Sequence, residues 1–386
     1  MEEGGGMKTV DEVWQLLRNE VTAREAVETE LADALGGVLR EDVRAPEDQP
    51  AFDRSAVDGY VVRADDASEV FAVIGEIRAG DGRHHELVAG KALRIATGAA
   101  VPEDGEVIML EDAAEPDGAV RFVRRGRDHV RRRGEDAKAG DVLVRAGTVL
   151  GTGSIGLLAS SGCVRPMVTR AIDALHVATG NEIVSADKVP SAGQVRDSNS
   201  PLVAAWARAG GMRIRQKRVG EDASALRHAV EGRRDLLLVS GGASVGGHDC
   251  TAEVLEAAGF EILVAKVAVR PGKPLIVARR GVEWAFGLPG NPLSHFVCLH
   301  VFVEAALAAM RGGPCRPVMW NRRVEAAIPG NPRETWWPAV EEREGLRPLS
   351  WTSSGDLAAL ALADTLVRVP SSGLAAGSEA EFIRTP

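Results

Sequence analysis

The sequence predicts a multidomain α/β protein whose centre is a doubly wound parallel sheet, with a helical/β N-terminal domain, a β-rich domain inserted into it, and a C-terminal β-domain. Three observations predict it. From Arg170 to about Met310, apolar strand-like runs alternate with helical patterns, as in a parallel sheet covered on both faces. Between Phe71 and Val144, short alternating runs are separated by Gly, Asp and Pro, which is the pattern of strands and tight turns. From about Cys315 onward the chain returns to short strands. A length of 386 residues is also too great for one compact core.

The elements follow in chain order. Residues 1–6 read as a disordered tail. Val13, Leu16 and Leu17 then have helical spacing, and residues 23–35 repeat it. Strand patterns occupy 71–74, 92–95, 107–110 and 120–123, followed by a strand around 142–150 and a short helix around 153–160 that bring the chain back to its first domain. The expected division is 7–45 with 140–168 for the discontinuous N-terminal domain, 46–139 for the inserted β-rich domain, 169–313 for the α/β domain and 314–386 for the C-terminal β-domain. Within the α/β domain, strands are expected at 173–178, 235–239, 275–278 and 284–286, and helices at 201–209, 223–230, 252–258 and 292–310.

Composition narrows the function. A formal net charge of −9 argues against nucleic-acid binding, which needs a basic surface to neutralise phosphates. The local exception is the run of Arg121, Arg124, Arg125, Arg127, Arg131, Arg132 and Arg133, which reads either as an anion site or as a solvated hairpin with acidic neighbours. The four cysteines form no CxxC pair and have no histidine cluster beside them, which excludes a zinc ribbon and fits a reducing compartment. The sequence begins Met-Glu-Glu without a basic-then-apolar leader, and the apolar stretch 296–310 is shorter than the roughly 20 residues that span a bilayer. A cytoplasmic location, with neither membrane nor nucleic acid as partner, is the expectation.

Ligands of open parallel sheets bind where strands end at their carboxyl edge. Three loops leave strands there. Thr179-Gly180-Asn181-Glu182 follows the first. Ser240, Gly241, Gly242, Ala243, Ser244, Val245, Gly246, Gly247, His248 and Asp249 follow the second, and Gly287, Leu288, Pro289, Gly290, Asn291 and Pro292 the third. Glycines let backbone approach a ligand, and amides and hydroxyls donate to anionic oxygen. Pro292 after Asn291 reads as a helix start whose free amides face a phosphate, or else as a capped structural turn. Glu182, Asp222 and Asp249, with Lys273 nearby, suit a bridging divalent cation, although an Asp that opens a helix, as Asp222 does, is more often an N-cap.

Several segments together are similar to one family. Phe52–Tyr60 (FDRSAVDGY) resembles FDNSAMDGY. Arg94-Ile-Ala-Thr-Gly-Ala99 with Pro102 resembles RIMTGAxxP, and Arg131–Asp136 resembles RRxGED. Thr179–Glu182, Asp197-Ser-Asn199 and Ser240–Asp249 resemble TGDE, DSN and SGGVSVGxxD. Arg270–Pro274, Gly287–Pro292 and the stretch from Ser354 to Leu366 match KPGKP, GLPGNP and the C-terminal motif, all collinear from about residue 8 to the end. The chain thus resembles the MoeA/gephyrin-E family of molybdopterin molybdenumtransferases.

The resemblance implies an elongated homodimer of four-domain subunits with a MogA-like α/β domain that binds molybdopterin. It also implies the reaction, in which adenylylated molybdopterin and molybdate give molybdenum cofactor and AMP with Mg2+ or another divalent cation. By motif position Asp58, Thr97 and Asp136 come from the second subunit, and Glu182, Asp249, Lys273, Pro289 and Pro292 from the first. Asp58, Thr97, Asp136, Glu182 and Asp249 are the implied catalytic residues. Thr179, Gly180, Ser240, Gly241, Gly242, Ser244, Gly246, Lys273, Pro289, Gly290, Asn291 and Pro292 are the expected substrate contacts, and Glu182, Asp222 and Asp249 the expected metal ligands. The molybdopterin adenylyltransferase is the implied delivery partner. The chain departs from the family pattern at Asn181, Arg196, Ala243, Gly247 and Arg270. Alternatives are a non-catalytic molybdopterin-binding or scaffold paralogue, or a pterin-nucleotide phosphohydrolase.

Overall fold

The computed structural model describes residues 7–115, 119–126, 128–220, 222–241 and 250–385. The expected tail at 1–6, Arg127, and Gly242, Ala243, Ser244, Gly246, Gly247, His248 and Asp249 of the glycine loop lie outside the described residues. The chain forms two compact units. The first consists of the chain up to Glu28, Gly36–Arg40 and the segment from Met167 onward; the second consists of Thr29–Leu35 and Glu41–Pro166.

The first unit is organised by a six-stranded sheet made of β1 (Ala174–Thr179), β2 (Ile214–Val219), β3 (Leu236–Ser240), β4 (Glu261–Val264), β5 (Ile276–Arg280) and β6 (Glu283–Leu288), in the order β2-β1-β3-β6-β5-β4. β2, β1, β3 and β6 run parallel, as the alternating pattern implies. β5 and β4 join antiparallel, so the sheet is mixed rather than wholly parallel. The short β5–β6 connection allows only a hairpin, since a parallel return needs a crossover of a dozen residues or more. β2 and β4, the two edge strands, are absent from the sequence expectation; β2 is polar along most of its length, so its hydrophobic signal fades, and β4 is a run of only four residues.

Both faces of the sheet are covered. Leu236 and Leu238 of β3 pack with Val203 and Trp206 of the helix Asn199–Ala209 and with Val297 and Val301 on one side. Leu237 and Val239 pack with Leu226 of the helix Ala223–Ala229 and with Val254 and Leu255 of Cys250–Ala257 on the other. The apolar helix Pro292–Met310 has the bounds expected from the sequence and, at 19 residues, is long and apolar enough to cross a bilayer; most of it is instead buried as the core helix of this unit. Its middle, Leu299–Val303, is a π-helical turn. Thr9 caps the helix Val10–Glu20 through a capping box with Glu12, and Trp14 Nε1 donates to the Val301 carbonyl at 2.8 Å.

The helical expectation for 23–35 is not met. Ala26–Glu28 forms a strand against Met167–Thr169, and Leu31–Asp33 is a single 3-10 turn. Tertiary contacts override a good helical composition there: the Arg24 amide donates to Met310 and its guanidinium to Asp235, which holds the segment extended.

The C-terminal strands form a second sheet in this unit. Its order is Val269–Arg270, Glu334–Glu341, Thr365–Val369, Glu379–Arg384 and Trp320–Arg323, with Leu346–Pro348 paired to Glu334–Glu341. Val269–Arg270 belongs by sequence to the α/β region but pairs parallel with Glu334 and Thr335. That pairing fixes the turn carrying Pro271, Gly272 and Lys273 between the two sheets.

The second unit is β-rich as expected. Its main sheet has the order Gly105–Met109, Gly59–Arg63, Lys91–Ile95, Phe71–Ile77, Ala119–Phe122 and Ala113–Ala114. Val61, Leu93, Ile95 and Val107 fill one face, and Tyr60, Val62, Phe71 and Ile108 the other. Four arginines of the run are neutralised locally: Arg125 pairs with Glu106, Arg131 with Glu135 and Asp136, Arg132 with Asp53 and Asp128, and Arg133 with Asp48. This is the solvated, internally paired reading rather than an anion site.

Candidate active site

Strand register brings the three loops together. Ala178 is paired with Ser240, and Ser240 with Leu288, so β1, β3 and β6 end level at the carboxyl edge. Beyond those ends lies a cleft of about 980 Å³. Thr179, Glu182, Ser240, Gly241, Lys273, Pro289, Gly290, Asn291 and Pro292 line it, so most of the described residues expected at a ligand site do meet in one place. Gly180 sits at the turn beside them, where a Cβ would meet the Glu182 carboxylate.

Sequence reasoning missed part of the wall. Arg333, Trp351, Ser353 and Ser354 also line the cleft, carried there by the C-terminal sheet. Ser354 was visible only as part of a motif, with no local sign that it faces the α/β domain.

The cleft is electropositive in a net-acidic chain. Among the described residues, Arg196, Arg270, Lys273 and Arg333 line it against two carboxylates, Glu182 and Asp197. Asp197 is 4% exposed and is matched by Arg218 at 3.1 Å and by the Ser200 amide and hydroxyl at 2.9 and 2.6 Å. Burial raises its carboxyl, but Ser200 and Arg218 outweigh burial and hold it below the ordinary range. Arg270 lies over the Trp351 ring at 4.9 Å, and Arg333 Nη1 donates to the Val269 carbonyl at 3.0 Å, so one guanidinium is held by an aromatic ring and the other by a backbone carbonyl rather than by carboxylates.

The Leu293 and Ser294 amides at the start of the long helix are already occupied. Leu293 and Ser294 both donate to the Ser354 carbonyl, at 2.9 and 3.4 Å, and Pro292 has no N–H. The Asn291 amide group donates to Ser354 Oγ at 2.8 Å. A buried helix end needs partners for its orphan donors, and here the C-terminal segment supplies them. The expected phosphate cradle at this helix start is therefore a structural clasp, and side-chain cations carry the positive charge of the cleft.

Under the cleft floor lies a buried polar chain. His176 Nε2 and Ser240 Oγ are 2.6 Å apart, Ser240 Oγ and His295 Nδ1 3.4 Å, and His295 Nδ1 and the Pro289 carbonyl 3.3 Å. At the far end Gln216 Nε2 reaches His176 Nδ1 at 3.1 Å. Burial pushes the His176 imidazole down to about 4 and that of His295 to about 3, so both rings stay neutral at physiological pH.

In the second unit, the Asp58 carboxylate accepts from the Thr97 amide at 2.7 Å and from its hydroxyl at 3.0 Å. Those bonds, the amide first, lower its pKa below the ordinary carboxylate value. Asp136 pairs with Arg131 on the short strand Val130–Arg131, which pairs with Arg54–Ser55. The structure thus joins Asp58 and Thr97 directly and anchors Asp136 separately within the same unit.

Among the described residues no cluster of three or more His, Cys, Asp or Glu side chains is arranged to hold a metal. Asp222, expected as a ligand, caps the helix Ala223–Ala229 by accepting from the Ser224 and Ala225 amides at 3.2 and 3.1 Å and from the Ser224 hydroxyl. Asp222→Ala is expected to cost about 1 kcal/mol of stability, the usual worth of an N-cap, without changing divalent-cation affinity. Thermal melts and a cation titration check this; a cation affinity reduced tenfold would restore Asp222 to the ligand set. Glu182 is exposed at the cleft and remains the one described carboxylate of the expected set placed to meet a cation there.

Comparison with known proteins places both parts of the chain. Residues 8–162 match the family described as the MoeA N-terminal region (domain I and II), and residues 176–309 match the one described as a probable molybdopterin binding domain. Curated relatives named molybdopterin molybdenumtransferase include one from Staphylococcus aureus strain Mu50, 29% identical with 97% of this chain and 95% of that protein covered. Another, from Staphylococcus epidermidis, is 29% identical over 92% of this chain and 90% of its own length. The crystal structure of the molybdopterin biosynthesis MoeA protein from Pyrococcus horikoshii OT3 superposes with a TM-score of 0.83 at 25% identity, covering 98% of this chain and all of that one.

Proposed function

We propose, from the premise that this chain belongs to the MoeA family, that it acts in molybdenum cofactor biosynthesis as a molybdopterin molybdenumtransferase. The reaction in this reading takes adenylylated molybdopterin and molybdate to molybdenum cofactor with release of AMP. The carrying observation is the cleft at the strand ends, where Arg196, Arg270, Lys273 and Arg333 face a space of about 980 Å³. Both substrates are anions, and among the described residues four cations against Glu182, the one carboxylate not paired to an arginine, suit them.

The chain's contribution is positioning and charge neutralisation. Dithiolene sulfurs replace molybdate oxygens, which leave as water with the thiol protons, and water cleaves the phosphoanhydride bond so that AMP departs and the pterin keeps its phosphate; neither event requires a covalent enzyme nucleophile. The cations hold the oxyanions close together and lower the cost of bringing them together. A divalent cation, Mg2+ in this reading, has Glu182 as its described holder, with Asp249 from the glycine loop, and supplies further neutralisation of the phosphates. Asp58, Thr97 and Asp136 are contributed by a second copy of the chain in a homodimer. The setting is the cytoplasm, with the molybdopterin adenylyltransferase delivering the substrate.

The test is incubation with adenylylated molybdopterin, molybdate and Mg2+, following AMP and cofactor separately. Both products should form, and Lys273→Ala should lower kcat/KM by roughly tenfold to a hundredfold, the worth of one charge-assisted hydrogen bond. AMP without cofactor would establish a pterin-nucleotide phosphohydrolase, and binding without either product a scaffold. Unchanged kinetics in the variant would remove Lys273 from the site.

A further inference from the structure

Gln216 stands at the outer end of the polar chain beneath the cleft. Its Nε2 donates to the Ser200 carbonyl at 2.8 Å, which identifies that atom as the amide nitrogen, because an oxygen there would face another acceptor. The other hydrogen on this nitrogen meets His176 Nδ1 at 3.1 Å. His176 Nδ1 is therefore an acceptor, and the ring proton sits on Nε2. That Nε2–H donates to Ser240 Oγ at 2.6 Å.

The opposite side is set in the same way. His295 Nδ1 lies 3.3 Å from the Pro289 carbonyl, which can only accept, so the His295 proton sits on Nδ1. It has no lone pair to offer Ser240, whose Oγ is 3.4 Å away. Ser240 Oγ thus accepts the His176 Nε2–H, the single His295 Nδ1–H is shared between the Pro289 carbonyl and Ser240 Oγ, and the Ser240 hydrogen itself finds no acceptor among the described residues. The residue lines the cleft, although only 3% of it is exposed.

We propose that Ser240 is a fixed hydrogen-bond donor to the cleft, held in that state by Gln216, His176 and His295 as positioning residues, and that it receives an unprotonated oxygen of a bound oxyanion. An ordinary serine hydroxyl can donate or accept as the ligand demands. Here the inner side of the oxygen is already filled, so a ligand presenting a donor at this point would leave a buried group unpaired and be rejected. Both rings stay neutral by burial, which preserves these tautomers across the physiological range. The ligand part of the inference rests on the transferase reading, where the phosphate of molybdopterin and molybdate itself are the two sources of such an oxygen.

The first test is the 15N spectrum of the histidine rings in the full-length protein. His176 should carry its proton on Nε2 and His295 on Nδ1; a proton on His176 Nδ1 overturns the proposal. The second is affinity for molybdopterin and for molybdate, titrated separately. Ser240→Ala should weaken the anion that Ser240 holds by roughly tenfold to a hundredfold and leave the other nearly unchanged, which tells the two sources apart. Gln216→Glu places an acceptor opposite His176 Nδ1, moves the ring proton there and turns the Ser240 hydrogen inward. It should reproduce that loss with the tautomer shift visible in the spectrum, and Gln216 is exposed on an edge strand, so the fold tolerates the change. Unchanged affinity for both anions in both variants overturns the proposal. A wild-type chain that binds neither anion instead defeats the transferase reading, and the spectrum alone then decides the donor assignment.

Discussion

Asp235→Ala is expected to destabilise the first unit by about 3–5 kcal/mol, the cost of stranding a buried partner charge. Asp235 is 4% exposed and accepts from Arg24 Nε at 2.6 Å, from Arg170 at 2.6 and 2.9 Å, and from the Asp173 amide at 2.9 Å. Arg24 is equally buried, and among the described residues its other acceptors are the Thr22 and Val282 carbonyls. Removing the carboxylate leaves a guanidinium inside the fold without a counter-charge. Burial by itself raises the Asp235 carboxyl, but Arg170, the Asp173 amide and Arg24 together bring it below the ordinary value. Its contribution is therefore complete above the unfolded-state pKa and is lost as pH falls through the depressed folded value. Urea titrations of wild type and variant at neutral and acid pH check both parts. The difference between them should shrink toward acid, and a constant difference would remove the linkage.

Gly241→Ala should be the more damaging change at the cleft. Gly241 has φ +92°, and an added Cβ would stand 2.2 Å from the Thr179 carbonyl oxygen. The obstacle is the backbone of β1, which cannot rotate away as a side chain could. Gly241 has to shift away from Thr179, losing the bonds from its amide to the Leu288 carbonyl (3.2 Å) and from Thr251 Oγ1 to its carbonyl (3.1 Å). Positive φ in a non-glycine residue adds roughly 1–3 kcal/mol of strain. We expect a loss of about 2–4 kcal/mol in stability and roughly a hundredfold in kcat/KM, because misplacement by about an ångström is enough to undo positioning. A variant with normal melting and normal turnover would show that the loop conformation does not shape the site.

The three strand-end loops are legible in the sequence because each follows an apolar run and combines glycine with groups that donate to anions. Register does the rest, since Ala178, Ser240 and Leu288 are level neighbours. What the C-terminal segment does is not legible. The Ser354 carbonyl occupies the amides of Leu293 and Ser294 across a long stretch of chain, and no local pattern marks a backbone oxygen as a helix cap. The strand Val269–Arg270 is hidden for a similar reason, since its pairing partner, Glu334–Thr335, lies in a different sheet from its sequence neighbours. Residues 23–35 mislead in the opposite sense. Their composition favours a helix, but the anchoring of Arg24 on Asp235 keeps the segment extended. Asp222 shows a third kind of limit: its chemistry suits either a cation or a cap, and only the positions of the Ser224 and Ala225 amides decide.

The strand β2 closes one side of the six-stranded sheet, and its outer residues include Arg215, Lys217 and Arg218. A bare row of backbone donors and acceptors would invite a strand from another molecule, but Arg215 and Arg218, paired with Asp173 and Asp197, and Lys217 line this edge with charged side chains that an incoming strand would have to desolvate. At high concentration the protein is thereby protected from growing by edge-to-edge association. Replacing these cations with valine or threonine would improve the local strand pattern while turning a soluble boundary into a seed for aggregation.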